Sequence, residues 1–305
     1  MNLSQTLTPT SATPASPTTR DVATFWEAHP CDSTTSTAAE RLAYFQDVER
    51  IRYASQSHLP RVAAFDQFRG RRVLEIGCGL GTDGAQFAKG GALYTGVDLT
   101  QAAVSLAAEN FRLRGLSGRF LRINAEELPL ASAAIDHVYS YGVIHHAVHP
   151  ERIVDEMYRV LKPGGTFMVM LYNRTSINYY VQIMFLRKLG RALLRPAGAP
   201  AMLSTLLRVP RAKLEGHRQN LLRIPRPTPA QWISMNTDGP DCPLARVYNA
   251  AEAGALFGRF QEVRTEAYFF DRSHWPFIGR VLPDALVDAL GRRWGWHRII
   301  TGKKV

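Results

Sequence analysis

The sequence predicts an α/β fold: an open, mostly parallel seven-stranded sheet with helices on both faces and a helical insertion after the fifth strand. Three observations carry this. From residue 70 onward, short apolar runs alternate with helical stretches, the pattern of βαβ units with right-handed crossovers. The first apolar run ends in a glycine-rich turn, Gly77-Cys78-Gly79-Leu80-Gly81, that opens a helix. After Leu171 the alternation breaks, and it resumes only near Asn249.

Residues 1–20 are rich in Thr, Ser and Pro and read as a disordered tail, with no apolar stretch behind a basic one to mark a secretory signal. Residues 21–69 form an N-terminal helical segment, with Leu42, Phe45, Val48 and Ile51 at helical spacing and Gly70 as its stop. The core unit spans 70–173. Its strands are Val73–Ile76, Leu93–Val97, Arg119–Ile123, Ile135–Tyr139 and Thr166–Leu171; its helices are Asp83–Lys89, Gln101–Leu113 and Ile153–Leu161. Lys162-Pro163-Gly164-Gly165 stops the last of these. Residues 174–245 form a basic helical insertion or lid. Residues 246–305 complete the core with a helix from Asn249, a strand over Glu262–Phe270, helical residues Leu286–Leu290 and a final strand over Trp296–Ile300.

Composition bounds the function. At 46% hydrophobic and 21% charged, the 305 residues are ordinary for a globular protein, which excludes a disordered or collagen-like chain. No stretch of about 18 apolar residues lacks charge, so no transmembrane helix is expected. Cys31, Cys78 and Cys242 are few and far apart; they exclude a disulfide scaffold and suit a reducing, cytoplasmic setting. The net charge of +11 is concentrated: Arg187 to Arg226 holds ten Lys and Arg against Glu215 alone. Such a run serves nucleic acid, anionic lipid, an acidic substrate or plain solvation.

The glycine turn lets backbone approach a ligand with no Cβ in the way, and the following helix offers free N–H groups. Asp98, 21 residues beyond Gly77 at the end of the second strand, can accept hydrogen bonds from ribose hydroxyls. Two frames overlap here. Gly79-Leu80-Gly81-Thr82-Asp83-Gly84 matches the dinucleotide pattern of a dehydrogenase. Glu75-x-Gly77-x-Gly79-x-Gly81 places an acid before the first glycine, which suits a cationic ligand and repels a pyrophosphate.

The second frame resembles motif I of the class I S-adenosylmethionine (SAM)-dependent methyltransferases, whose sheet is Rossmann-like. Asn124-Ala125-Glu126-Glu127-Leu128-Pro129, Ile135 to His146, and Arg159 to Gly165 resemble the family's next blocks in order and spacing, particularly its ubiquinone/menaquinone-type branch, called type 11. The resemblance covers about residues 70–172. Thr237-Asp238-Gly239-Pro240 to Phe260 also resembles the distal half of some members, without substrate information. The resemblance implies SAM as cofactor. Glu75, Gly77, Gly79 and Gly81 would line its amino-acid end, Asp98 would hold the ribose, Leu99 would pack on adenine, and Asn124 and Ala125 would meet the adenine edge. Asn124 stands where the family usually has Asp; its amide still offers an acceptor and donors.

Methyl transfer from an activated donor needs positioning, and a base where the acceptor carries a proton. His145 and His146 follow the fourth strand directly and are the candidate catalytic bases, with loop packing as the alternative role for either. Tyr141, Tyr172 and Asn173 are candidate pocket residues. No HExxH, Cys/His array or carboxylates at ligand spacing occur, so no metal site is indicated.

In Ile177–Leu194 the spacing puts Ile177, Val181, Met184/Phe185, Lys188/Leu189 and Ala192/Leu193 on one side and Arg187, Arg191 and Arg195 on the other. Three readings stand: a lid over the acceptor, an interfacial helix on anionic membrane through residues 177–226, or a buried structural or dimer face. The function expected is methyl transfer to an oxygen, nitrogen or carbon of a small, apolar metabolite, lipid or quinone. The alternatives are an RNA or protein methyltransferase using the basic insertion and a catalytically silent SAM-binding subunit. The absence of an Asn-Pro-Pro-aromatic motif and of an aromatic–basic recognition module argues against nucleic acid. Oligomeric state is left open.

Overall fold

The computed structural model describes residues 16–207, 210–272, 275 and 281–305. Most of the expected tail, residues 1–15, lies outside them. Thr19 and Arg20, assigned to the tail from sequence, belong instead to helix α1 (Thr19–Ala28). The reason is a capping box: Asp21 N–H donates to Thr18 Oγ1 at 3.3 Å, and Thr18 N–H donates to the Asp21 carboxylate at 2.8 Å.

Helices α2 (Arg41–Ser55) and α3 (Leu59–Ala63) complete the N-terminal segment. The sheet then follows in chain order as β1 (Arg72–Ile76), β2 (Leu93–Asp98), β3 (Arg119–Arg122), β4 (Ile135–Tyr141), β5 (Leu161–Tyr172), β6 (Gln261–Tyr268) and β7 (His297–Lys303). Its spatial order is β3-β2-β1-β4-β5-β7-β6; β1 to β5 pair in parallel, and β7 runs antiparallel to both β5 and β6. The helices are α4 (Thr82–Lys89), α5 (Gln101–Leu113) and α6 (Pro150–Val160) in the core unit, then α11 (Ala250–Leu256) and α12 (Asp284–Trp294) beyond the insertion.

Strand side chains alternate between two buried layers, as expected for a sheet covered on both faces. Leu74, Ile76, Val138, Phe167 and Val169 pack with α6 and α11 through Met157, Val160 and Phe257. Val73, Tyr139, Met168 and Met170 pack on the other face with Leu59, Phe65, Phe87 and Phe111. β5 begins five residues before the expected Thr166. Lys162 to Gly165, read from sequence as a stop, does end α6, but its residues already belong to the strand. A register shift between Ile135 and His137 of β4 accommodates them, and Gly164 N–H donates to Lys304 O at 2.8 Å.

The insertion is helical, as the sequence indicates: a wide π-helical stretch (Asn178–Leu186), then α7 (Arg187–Leu193), α8 (Ala199–Leu207), α9 (Arg211–Arg223) and α10 (Pro229–Thr237). Its sidedness departs from the expected one beyond Met184, which still packs on the sheet side. Phe185, Leu189 and Leu193 are exposed, whereas Arg187 and Arg191 turn inward and donate to the carbonyls of Asn236 and Ile224. A guanidinium can satisfy several buried carbonyls at once, and its stem packs like an apolar chain. Ile183, Trp232 and Trp296 form the cluster that docks the insertion on the sheet, with Trp232 Nε1 donating to Ile183 O at 3.2 Å.

Candidate active site

A cavity of about 370 Å³ lies at the carboxyl ends of β1, β2, β4 and β5. The strand order reverses between β1 and β4, which opens the crevice where ligands bind in sheets of this kind. Its walls come from the glycine turn, the ends of the strands, α1, and the residues just beyond α10.

The glycine turn shapes one half. Gly77 has φ +78°, and a Cβ there would meet the Val143 side chain at 2.1 Å, so only glycine fits. Gly79, at φ +49°, has nothing within 4 Å of an added Cβ and faces open space. Gly81 plays a different part from the one expected. It does not line the cavity; it holds a left-handed turn at the start of α4, where a Cβ would come 3.1 Å from Ala107. Asp98 ties this half together: Oδ1 accepts from Thr100 N–H at 3.0 Å and Thr100 Oγ1 at 2.8 Å, and Oδ2 accepts from Gly79 N–H at 3.2 Å. Leu99, Asn124 and Ala125 line the wall beyond it, with Asn124 Oδ1 accepting from Glu126 N–H at 3.1 Å. Of the eight expected cofactor residues, Glu75, Gly77, Gly79, Asp98, Leu99, Asn124 and Ala125 are thus brought together.

This half is acidic and dry. Burial raises the Asp98 carboxyl, against the donors from Thr100, Gly79 and Leu99. Burial, and then the negative charge of Asp83, push Glu75 well above the usual carboxylate range, while Tyr94 OH donates to it. Arg52 of α2 reaches the same wall. It grips Asp83 through Nε at 3.0 Å and Nη2 at 2.6 Å, and Asp32 through Nη1 at 3.2 Å. Burial works against the Arg52 charge, but Asp83 and Asp32 outweigh it. Tyr53 and Tyr139 hydroxyls also donate to Asp83, each at 2.8 Å.

The other half is aromatic. Val143, Met170, Tyr172, Phe269 and Trp296 line it, and Trp26 of α1 packs edge-on to His146 with centroids 5.0 Å apart. α1, and not the basic helices, closes the site: its Thr19, Val22 and Trp26 border the cavity, and no described residue from 177 to 226 does. Glu27 anchors it by accepting from Gln101 and Ala102 N–H at the start of α5, at 2.8 and 3.0 Å.

The two candidate bases separate. His145 is fully buried beneath Tyr172, with centroids 3.9 Å apart, and does not line the cavity. Burial keeps its imidazole neutral, its pKa held well below the usual histidine value. His146 faces the cavity. Its Nδ1–H donates to Leu244 O at 2.6 Å, and its Nε2 lies 3.5 Å from Asp238 Oδ2. Tyr172 OH donates to Asp238 Oδ1 at 2.7 Å. Tyr141 also reaches the cavity, its hydroxyl 2.8 Å from His297 Nδ1 and 3.3 Å from His58 Nε2. Asn173 does not: it is buried, donating to Gly295 O at 2.8 Å and accepting from Arg298.

Arg52, Trp26, Asp238 and His297 are absent from the sequence reading of the site. Arg52 and Trp26 sit in helices whose spacing announces only packing. Asp238 lies in the Thr237-Asp238-Gly239-Pro240 block, a signal that gave a segment but no role.

Residues 74–169 match the family model described as a methyltransferase domain. Phthiotriol/phenolphthiotriol dimycocerosates methyltransferase of Mycobacterium tuberculosis is 38% identical over 109 residues, 35% of this chain and 40% of that protein. Ubiquinone biosynthesis O-methyltransferase of Rhizobium etli is 30% identical over 135 residues, 44% of this chain and 52% of that protein. The chain thus spans about half or less of the length of these curated relatives. Magnesium protoporphyrin IX methyltransferase of Synechocystis, solved with bound SAH, superposes with a TM-score of 0.54 at 13% identity, covering 94% of this chain and 99% of that one. The cyclase SpnF does so with a TM-score of 0.50 at 17% identity, covering 95% and 97%. These likenesses establish the fold, and the cyclase shows that the fold hosts more than one reaction. Residues 74–169 of this chain are thus similar to a methyltransferase domain, set in a Rossmann-like fold.

Proposed function

We propose that the protein transfers the SAM methyl group to an oxygen, nitrogen or carbon of a small, apolar acceptor of lipid or quinone type. The observation that carries this is one cavity with two chemistries. An acidic glycine cradle adjoins an aromatic chamber lined by two imidazoles, of which that of His146 lies beside the Asp238 carboxylate.

The cradle fits SAM. Gly79 leaves open space where a side chain would intrude, Asp98 has acceptor capacity for ribose hydroxyls, and Leu99 and Ala125 offer apolar contact to a base. Glu75 suits the α-ammonium, and Arg52 suits the carboxylate. SAM supplies an electrophilic methyl on a sulfonium. The chain's residues do the rest. Trp26 and the α1 roof exclude water, the aromatic walls orient an apolar acceptor, and His146 Nε2 takes a proton where the acceptor carries one. Tyr172 holds Asp238 beside that imidazole. The apolar chamber agrees with the compounds named for the two relatives.

The basic helices support a membrane role over a polymer substrate. Among the described residues, eight of the fourteen exposed large hydrophobics, including Phe185, Leu189, Met202 and Leu206, fall between residues 178 and 222, alongside the basic run. That combination suits peripheral contact with anionic lipid, from which an apolar acceptor would be drawn. Cosedimentation with anionic but not neutral vesicles is the expected result.

Label transfer tests the main reading. The protein is incubated with methyl-labelled SAM and a cell extract, and label is counted in the organic, RNA and protein fractions. Label in the organic fraction is expected; label confined to RNA or protein would overturn the small-acceptor assignment.

A further inference from the structure

We propose that His146, Asp238 and Cys242 form a binding site for one borderline-soft divalent cation of the zinc type at the acceptor end of the cavity. Their ligand atoms, an imidazole nitrogen, a carboxylate oxygen and a thiol sulfur, lie within 4.8 Å of one another. The chain positions that supply them are 92 and 96 residues apart from His146, so no spacing rule announces the set.

Four features make this more than a cluster. His146 Nε2 and Asp238 Oδ2 are both buried, and neither has a hydrogen-bond partner among the described residues. Their separation of 3.5 Å is too long for a good N–H···O bond. It is close to the edge of a tetrahedron with ligand distances of about 2.0–2.2 Å, which is about 3.4 Å. The supporting contacts are those a metal site uses. Leu244 O fixes the His146 tautomer from the far side, and Tyr172 OH holds the other carboxylate oxygen, leaving Nε2 and Oδ2 turned inward. Cys242 is buried too, and its Sγ reaches only Leu244 O, at 3.6 Å.

The charges also close. Binding releases one proton from the Cys242 thiol, and a thiolate, a carboxylate and a neutral imidazole bring a dication to zero net charge, which is tolerable at a buried site. A nitrogen, oxygen and sulfur donor set selects zinc or cobalt over magnesium or calcium. His146 and Asp238 border the cavity, so the fourth position opens towards a bound acceptor. On the methyltransferase reading, from which this role follows, the cation would lower the pKa of an acceptor heteroatom there. It would do so in place of proton abstraction by His146, whose Nε2 is then occupied.

The test is cobalt titration of the full chain after chelation, read by absorbance. One equivalent of Co²⁺ is expected to bind with tetrahedral d–d bands and a thiolate-to-cobalt charge-transfer band. Cys242→Ala should abolish the charge-transfer band, Asp238→Asn should weaken affinity about a hundredfold, and Cys31→Ala, outside the cluster, should leave both intact. Circular dichroism confirms that each variant is folded. Absence of saturable binding by the folded wild-type chain would overturn the proposal, as would a thiolate band that survives Cys242→Ala. SAM affinity measured on the same preparations reports the cofactor site separately, so failure of one reading is not mistaken for failure of the other.

Discussion

The cofactor half of the cavity buries carboxylates, and the acceptor half buries neutral imidazoles and aromatic rings. Both halves are desolvated, yet burial pushes their groups in opposite directions. Glu75 and Asp98 are raised, so their charged forms are disfavoured until a cation arrives. His58, His145 and His297 are lowered, so their charged forms are suppressed. The difference teaches how one cavity sorts two ligands: the first half waits for positive charge, and the second keeps its own imidazoles His58, His145 and His297 neutral. The halves should therefore fail separately when mutated and respond oppositely to acid.

The largest effect is expected at Asp98. Its replacement by Ala removes the acceptor for two charge-assisted hydrogen bonds to a ribose, about 4 kcal/mol or a thousandfold in SAM affinity. Calorimetric titration that returned an affinity within a few fold of wild type would sink the cofactor assignment. His146→Ala makes the complementary break. Methyl transfer is expected to fall by about a thousandfold while SAM affinity stays within about threefold, since loss of a group acting on the acceptor leaves the cradle intact. A large loss of SAM affinity in that variant would mean the halves are not independent.

The two halves also differ in how far they are legible. The cofactor half rests on local sequence: a strand, a glycine turn and an acid at the next strand's end are neighbours along the chain, and seven of the eight residues named for it line the cavity. Gly81 misleads because a glycine needed for backbone conformation is indistinguishable in sequence from one needed for ligand approach. The acceptor half is assembled from residues far apart. Trp26, His146, Asp238 and Trp296 meet only because α1 folds over the sheet and α10 docks through Trp232. The tandem His145-His146 pair shows the limit well. Only the turn after β4 decides that one ring goes under Tyr172 and the other into the cavity. The insertion's sidedness escaped for a similar reason: helical periodicity finds an apolar face but not which face the fold turns outward.

Acid should also act on the acceptor half. Burial, and then the charge of Arg61, push His58 down to about 4 from the usual value near 6.5, with Asp288 opposing and Arg52 adding to the effect. Between those values the unfolded chain binds the proton and the folded one does not, so stability rises with pH across the window. The contribution is complete above about pH 6.5 and is lost as pH falls towards 4, on the order of 3 kcal/mol in all. His58→Gln keeps a partner for Tyr141 and removes the titration. Denaturant unfolding between pH 4 and 6.5 should then show a slope smaller by up to about 1.4 kcal/mol per pH unit. An unchanged slope would mean that His58 is not held neutral by the fold.

Glu75 gives the smallest and most discriminating effect, because its two expected changes have opposite sign. Its carboxyl is raised, so the unliganded fold bears a cost that is absent at low pH and grows as pH rises through the folded pKa. Glu75→Gln keeps an acceptor for Tyr94 OH and deletes the charge. At pH 7 the unliganded protein is expected to gain about 1–2 kcal/mol, a site residue relieved of its functional burden. SAM affinity should drop about tenfold, because the α-ammonium loses its counter-charge. Thermal unfolding with and without SAM reads both at once: the unliganded midpoint rises, and the ligand-induced shift shrinks. A variant that is destabilised without SAM would show that Glu75 is held by structural contacts, and the contrast between a half that buries carboxylates and a half that buries neutral imidazoles would fail where it is drawn most sharply.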